Sequence, residues 1–260
     1  MKLIGLEKLE LKIMKLNLKE KIRYDRQMMI EGWGEEGQLK LKSAKVVIAG
    51  VGGLGCPTAL YLTAAGIGEI KLIDNEKVEL SNLNRQILHW EKDIGKFKVD
   101  SAAEKLRKIN NKVKITIEKT TITEENASRL INGFNLVIDA LDNFETRFYL
   151  NKACVEKGIP MIHGAIEGFE GRFTTIIPKT SPCLACIYGK IPFHKEKFPV
   201  VGVTPAVIAA LQSMEAIKLI VGIGELTINR LIIFDGLKME FDEIKIEKID
   251  ECKVCGNLNK

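Results

Sequence analysis

Gly50-Val51-Gly52-Gly53-Leu54-Gly55 follows a short β-branched run at 45–49 and opens a helical pattern, the setting in which a G-x-G-x-x-G spacing binds phosphate. Glycines there let the backbone turn tightly and approach an anion, and the helix start supplies unpaired N–H groups and a partial positive charge. Asp74 closes the next predicted strand, where a carboxylate accepts the two ribose hydroxyls of a nucleotide. Gly50, Gly52, Gly53, Gly55 and Asp74 thus form a candidate nucleotide cradle, the kind first associated with a nicotinamide- or flavin-dependent oxidoreductase. The residues that follow argue for a more highly charged ligand. Ser81, Asn82, Leu83, Asn84 and Arg85, and then Lys98, bring polar and cationic groups that a dinucleotide has little need of and a triphosphate requires. Asp142 and Asn143 follow a strand at the carboxyl edge of the sheet, and Asp142 is a candidate magnesium ligand. Each has a plainer alternative: a surface ion pair for Arg85, a solvated helix position for Lys98, a helix N-cap for Asp142.

A second set of residues points to a metal. Cys183-Leu-Ala-Cys186 and Cys252-Lys-Val-Cys255 are two C-x-x-C pairs, and four thiolates close a tetrahedral zinc shell with no open position, which is a structural site. Because about 65 residues separate the pairs, zinc would tie the C-terminal end back to the middle of the chain. A redox role for either pair leaves the other unexplained. The two remaining cysteines, Cys56 and Cys154, fall inside predicted helices and read as small buried hydrophobes in partner-free apolar surroundings. His89, His163 and His194 share no spacing and are expected to be core or surface residues.

The elements that must position these groups follow from periodicity. Runs at 45–49 and 69–73, a helix closed by Gly66, a helix near 99–109, a strand at 113–118, a helix at 124–131, a strand at 136–140, a helix at 147–157 closed by Gly158 and a strand at 160–163 alternate in order. That alternation predicts an α/β fold with a doubly wound, largely parallel Rossmann-like sheet. Strands at 171–178, 230–235 and 240–248 with one helix at 205–221 predict a C-terminal antiparallel elaboration. No low-complexity linker interrupts the chain, so residues 23–260 are expected to be one domain, preceded by a charged amphipathic extension over 1–22.

The 260 residues are 46% hydrophobic and 28% charged, which excludes global disorder. Thirty-nine Lys and Arg against 34 Asp and Glu give +5, too diffuse to predict a nucleic-acid partner. No apolar run is read as reaching the roughly 18–20 residues of a membrane span, and no signal core is seen, so no membrane role and a cytoplasmic location are expected.

Taken together, Arg23-Tyr24-Asp25-Arg26-Gln27, the glycine run, Asp74 with residues 81–86, residues 95–98, Asp142-Asn143 to Arg147, residues 167–171 and residues 212–218 occur in the order found in the ThiF/MoeB/HesA proteins, the prokaryotic relatives of ubiquitin-activating enzymes. The chain resembles that family over about residues 23–256. The resemblance implies an ATP-dependent adenylyltransferase that uses magnesium to activate the C-terminal glycine carboxylate of a ubiquitin-like sulfur carrier of the ThiS/MoaD type, ending in Gly-Gly, for thiamine or molybdopterin synthesis. It also implies that Gly53 contacts the phosphates, Asp74 the ribose, residues 81–85 and Lys98 the nucleotide, and Asp142 the magnesium. Arg26 matches an arginine supplied from a neighbouring subunit, hence a homodimer, and the four paired cysteines match a zinc site. Many relatives carry a further cysteine between the first pair and the next helix, whereas residues 187–204 here hold Lys190, His194, Lys195 and Lys197 and no cysteine. Catalysis is therefore expected to stop at the acyl adenylate, with sulfur delivered by an external donor. The rival expectations are the oxidoreductase and a non-catalytic nucleotide-binding scaffold.

Overall fold

Five parallel strands form the N-terminal part of one eight-stranded sheet, and the computed structural model describes residues 14–189 and 198–256 of the chain. In chain order they are β1 (Lys45–Ala49), β2 (Glu69–Ile73), β3 (Lys114–Glu118), β4 (Leu136–Asp139) and β5 (Met161–Glu167). Their spatial order is β3-β2-β1-β4-β5, after which β6 (Glu170–Ile176), β7 (Arg230–Asp235) and β8 (Glu240–Lys245) add on antiparallel. The predicted doubly wound sheet and its antiparallel elaboration are both present. β1 and β4 are almost wholly buried, as strands covered on both faces must be. β8 is exposed along its whole length and carries Glu240, Asp242, Glu243 and Lys245, charges that discourage further pairing at an open edge.

Helices cover both faces. On one side α2 (Gly34–Ser43), α3 (Gly55–Ala65), α4 (Lys98–Ile109) and α8 (Val203–Val221) bury Leu41, Leu62, Leu106 and Ile208 with Ile48 and Leu72 of the sheet. On the other, α5 (Glu124–Ile131), α6 (Phe144–Lys157) and α7 (Leu184–Tyr188) bury Leu130, Leu150 and Leu184 with Val47 and Val137. α3 ends at Gly66, whose left-handed φ of 88° only a glycine adopts without strain, and whose missing side chain makes room for the Tyr24 ring.

Several expectations are corrected in detail. A helix, α1 (Leu18–Met28), capped by Asn17 and Glu20 acting reciprocally, runs across the boundary drawn at 22/23. α6 begins at Phe144 rather than 147 because the Asn143 side chain accepts the Thr146 N–H, so Asn143 and not Asp142 is its N-cap. β5 extends to Glu167 because it pairs with β6 through a tight hairpin. α8 is, by length and composition, apolar enough to cross a membrane, contrary to the expectation that no run reaches that length, but it packs on α2, α3, β5 and β6 as a core helix. Lys190, His194, Lys195 and Lys197 lie outside the described residues.

Candidate functional site

β1 pairs with β2 on one side and β4 on the other, so the chain reverses its direction of winding between β1 and β4. A crevice opens at such a switch point beyond the carboxyl ends of the strands. The turn after β1 occupies it. Gly50 has φ 91°, and a Cβ there would stand 2.5 Å from the Ala140 carbonyl of the turn after β4. A Cβ on Gly55 would stand 1.9 Å from the Gly50 carbonyl, so the first and last glycines of the run are required for the turn to close.

The turn is held at Val51. Its N–H donates to Asp74 Oδ2 at 2.8 Å, and the other Asp74 oxygen accepts the Glu76 N–H at 2.8 Å. Burial pushes the Asp74 carboxyl above its ordinary value, against the pull of Lys98 and of those two N–H groups. The Val51 carbonyl accepts from His89 Nε2 at 2.9 Å. Since a carbonyl only accepts, Nε2 carries the proton and His89 Nδ1 accepts from the Ser101 hydroxyl at 3.0 Å, which is itself bonded by Lys105. Desolvation lowers the His89 pKa to about 4, so the imidazole is neutral at pH 7. Nothing in the spacing of the histidines points to this role.

The cationic groups surround the turn unequally. The Arg85 stem lies where a Gly53 Cβ would be 3.6 Å from its Cγ, and its Nη1 donates to Ser81 O and Asn84 Oδ1 at 2.9 Å each. Gln86 also faces the run, its amide 3.5 Å from a Cβ on Gly52, and its buried Oε1 has no protein partner. Lys98 starts α4, is buried and pairs with Glu76. Asn82 uses its Oδ1 to accept the Glu79 N–H, closing its own turn, while Ser81 is exposed and its hydroxyl faces Glu79. Leu83 is half-buried beside them. The N-terminal end of α8 closes the crevice, for a Cβ on Gly202 would meet Asn84 O at 2.3 Å.

Asp142 projects from the turn after β4 and is exposed, with Asn143 Nδ2 at 3.5 Å. Arg26 is not brought to this crevice. It is exposed on α1, and its neighbours Tyr24 and Gln27 contact Gly66 and Ala65 at the far end of α3, about 15 Å along that helix from the glycine turn. Beside the crevice, a cleft of about 600 Å³ is lined by Glu167, Phe169, Pro199, Val201 and Leu237 among others.

The four paired cysteines converge. Their sulfurs lie within 4.8 Å of one another, with Cys183 to Cys252 at 3.7 Å and Cys186 to Cys255 at 3.4 Å. Tetrahedral Zn–S bonds of about 2.3 Å place sulfurs roughly 3.8 Å apart, so the cluster is compatible with zinc. Cys56, in contrast with the expectation of apolar surroundings without partners, has its thiol 3.3 Å from Val51 O and 3.6 Å from His89 Nε2.

A glycine turn at the switch point, with an acid closing the next strand, defines a doubly wound α/β protein with a nucleotide-type site. The profile of the ThiF family matches residues 24–254, and the chain belongs to that family. It is 38% identical to the SAMP-activating enzyme E1 of Haloferax volcanii, over 90% of this chain and 88% of that one. It is 37% identical to the sulfur carrier protein adenylyltransferase of Thermus thermophilus, over 90% of each. It is 39% identical to the adenylyltransferase and sulfurtransferase MOCS3 of Culex quinquefasciatus over 94% of its own length, but spans 57% of that longer relative. Among solved structures, E. coli MccB with MccA-N7isoASN superposes with a TM-score of 0.83 at 28% identity, covering 91% of this chain and 75% of that one. MccB with ATP gives 0.79 at 29%, covering 90% and 74%.

Proposed function

We propose that this chain is an adenylyltransferase that activates the C-terminal carboxylate of a ubiquitin-like sulfur carrier with ATP. The observation that carries the reading is the switch-point glycine turn joined through Val51 to Asp74 and flanked by Arg85, Lys98 and Asp142, in a chain whose relatives include adenylyltransferases of sulfur carriers. Gly50, Gly52, Gly53 and Gly55 would admit the phosphates against the backbone, and Asp74 would accept the ribose hydroxyls. The unpartnered Gln86 Oε1 and the N–H groups opening α3 suit a ligand bearing both donors and negative charge. The oxidoreductase and scaffold alternatives account for the turn but not for the cations and acid around it.

A carrier carboxylate is ionised at pH 7, so its oxygen attacks the α-phosphorus without a general base while the bond to pyrophosphate breaks. The protein must align the reactants and neutralise the departing charge. Arg85 and Lys98 would do the latter, Lys98 by exchanging Glu76 for phosphate. The exposed Asp142 carboxylate would hold magnesium, which would supply positive charge to offset that of the phosphates. The cleft at 199–201 leads to Gly202 beside Arg85, and the carrier's terminal Gly-Gly segment would enter there.

Zinc at Cys183, Cys186, Cys252 and Cys255 would be structural, pinning the C-terminal segment to α7. A homodimer is supported by Arg26, which can serve a nucleotide site only in a second copy, and by exposed Leu18, Ile22, Met29 and Ile30 on and after α1. Sulfur would come from an external donor attacking the adenylate. The test is ATP–pyrophosphate exchange with magnesium and a carrier ending in Gly-Gly. Exchange that falls well over tenfold in Asp142→Ala and in Arg85→Ala is expected; release of ADP in place of AMP would overturn the reading.

A further inference from the structure

We infer that His163 and Tyr188 are positioning residues for the acid turn. In this arrangement the chain from buried Asp139 and His163 to half-buried Tyr188, with Arg147, fixes the backbone from which Asp142 projects and joins it to α7, the helix that carries Cys186. The inference rests on the reading of Asp142 as the magnesium-binding acid.

Leu141, immediately before Asp142, has both backbone groups taken. Its N–H donates to Asp139 Oδ1 at 3.1 Å, and its carbonyl accepts from Arg147 Nη2, which also donates to Gly164 O at 3.0 Å. The second Asp139 oxygen accepts from His163 Nδ1 at 2.7 Å, and Arg147 Nε lies 3.5 Å from the first. Burial acts to raise the Asp139 pKa, but Arg147, His163 and the Leu141 N–H outweigh it and hold the carboxyl below its ordinary value. An ionised carboxylate only accepts, so Nδ1 of the neutral His163 carries the proton and Nε2 is left as an acceptor. The Tyr188 hydroxyl donates to it at 3.0 Å, and Arg172 faces the same hydroxyl. The Tyr188 ring also stands edge-on to Phe144, the first residue of α6, with centroids 5.2 Å apart.

These groups therefore grip residues 139, 141 and 144, on both sides of Asp142. Asp139 and His163 are fully buried. Apolar residues of the same shape would pack there at least as stably, whereas a hydrogen-bonded polar chain sets one geometry. Tyr188 lies two residues beyond Cys186, so the chain ends on the element that the cysteine cluster anchors.

Tyr188→Phe keeps the ring against Phe144 and removes only the hydroxyl. The probe is Mn²⁺ as a magnesium substitute, added to the full-length protein with a non-hydrolysable ATP analogue, its binding followed by loss of the free-ion EPR signal. Tyr188→Phe should weaken Mn²⁺ about three- to tenfold, the scale of one hydrogen bond, with analogue affinity and zinc content unchanged. His163→Asn keeps a donor in the Nδ1 position and deletes the acceptor for Tyr188. It should match Tyr188→Phe, and the double variant should be no worse than either. Unchanged Mn²⁺ binding in Tyr188→Phe, with only a lower melting temperature, would show that the chain merely stabilises the fold and would overturn the inference. Asp142→Asn separates the two readings: if it leaves Mn²⁺ binding intact, the assignment of Asp142 fails. If it abolishes binding while Tyr188→Phe and His163→Asn do not alter it, the positioning chain alone is wrong.

Discussion

The turns after β1 and β4 sit side by side at the switch point and solve one problem in two ways. Each has a residue whose N–H is taken by a carboxylate and whose carbonyl is taken by a side-chain donor: Val51 by Asp74 and His89, Leu141 by Asp139 and Arg147. The β1 turn is built of glycines and held by a neutral imidazole, leaving a backbone surface that an anion can touch. The β4 turn lacks glycine and is held by a buried guanidinium–carboxylate contact, which leaves one side chain, Asp142, projecting into solvent. A turn that offers its backbone to phosphate must keep side chains off the surface the phosphate touches, and here Val51 and Leu54 turn theirs into the core. A turn that offers a carboxylate to a cation can spend fixed charges behind it.

The sharpest way to break this contrast is Arg147→Met. Removing the guanidinium strands the fully buried Asp139, and uncompensated buried charges cost about 3–5 kcal/mol. Urea denaturation at pH 7 should show a loss of that order. A loss below about 1 kcal/mol would mean that the β4 turn does not depend on the charge.

The β1 turn should instead be sensitive to acid. The folded His89 pKa of about 4 lies below the ordinary 6.5, so the unfolded chain binds the proton more readily. The stabilisation is complete above about pH 6.5 and is lost as pH falls towards 4, by about 3 kcal/mol in all from this residue. His89→Gln retains an amide donor for Val51 and cannot titrate. Its stability between pH 6.5 and 4 should fall less steeply than that of the parent protein, and parallel curves would show that His89 is not the group responsible.

Gly50→Ala tests where the two turns meet. Its Cβ would collide with Ala140 O, and its φ of 91° is strained for alanine, at a cost of about 1–3 kcal/mol. Calorimetric titration with ATP should show affinity reduced by more than tenfold, while zinc binding by Cys183, Cys186, Cys252 and Cys255 should be unchanged.

These turns also show which parts of the site were legible in the sequence. The glycine run and Asp74 are readable because the strand, turn, helix and second strand that position them are contiguous, and the cysteine pairs because each C-x-x-C is a local turn. His89 and His163 were not, since their partners lie 38 and 24 residues away and meet them only through the strand order. Asp142 and Asn143 are both good N-caps in adjacent positions, and only the geometry selects Asn143. Arg26 carries a family motif, yet its own chain holds it at the opposite end of α3 from the turn. The extension of β5 to Glu167 depends on pairing with β6, a tertiary choice that the short apolar run did not announce.

The smallest expected effects come from the two cysteines behind the turns, and they bear on where the proposed reaction would stop. Cys56 in α3 touches the Val51 carbonyl, and burial pushes its thiol up to about 12. Cys154 in α6 is fully buried behind the β4 turn, and burial with the nearby Asp139 charge likewise pushes its thiol above the ordinary range. Neither supplies thiolate at neutral pH, and thiolate is the attacking form. The other four cysteines form the cluster, and residues 187–204 contain none. Cys56→Ala and Cys154→Ala should each cost about 1 kcal/mol, with Cys56→Ala the larger because it also loses its contact with the turn. Both variants should adenylate a Gly-Gly carrier at the parent rate. Intact mass measured without reductant, after incubation with carrier and ATP, should then show no enzyme–carrier adduct in parent or variants. A reducible adduct that disappears in Cys56→Ala would mean that the β1 turn opens to expose a nucleophile, and the contrast between a backbone turn and a side-chain turn would have to be redrawn.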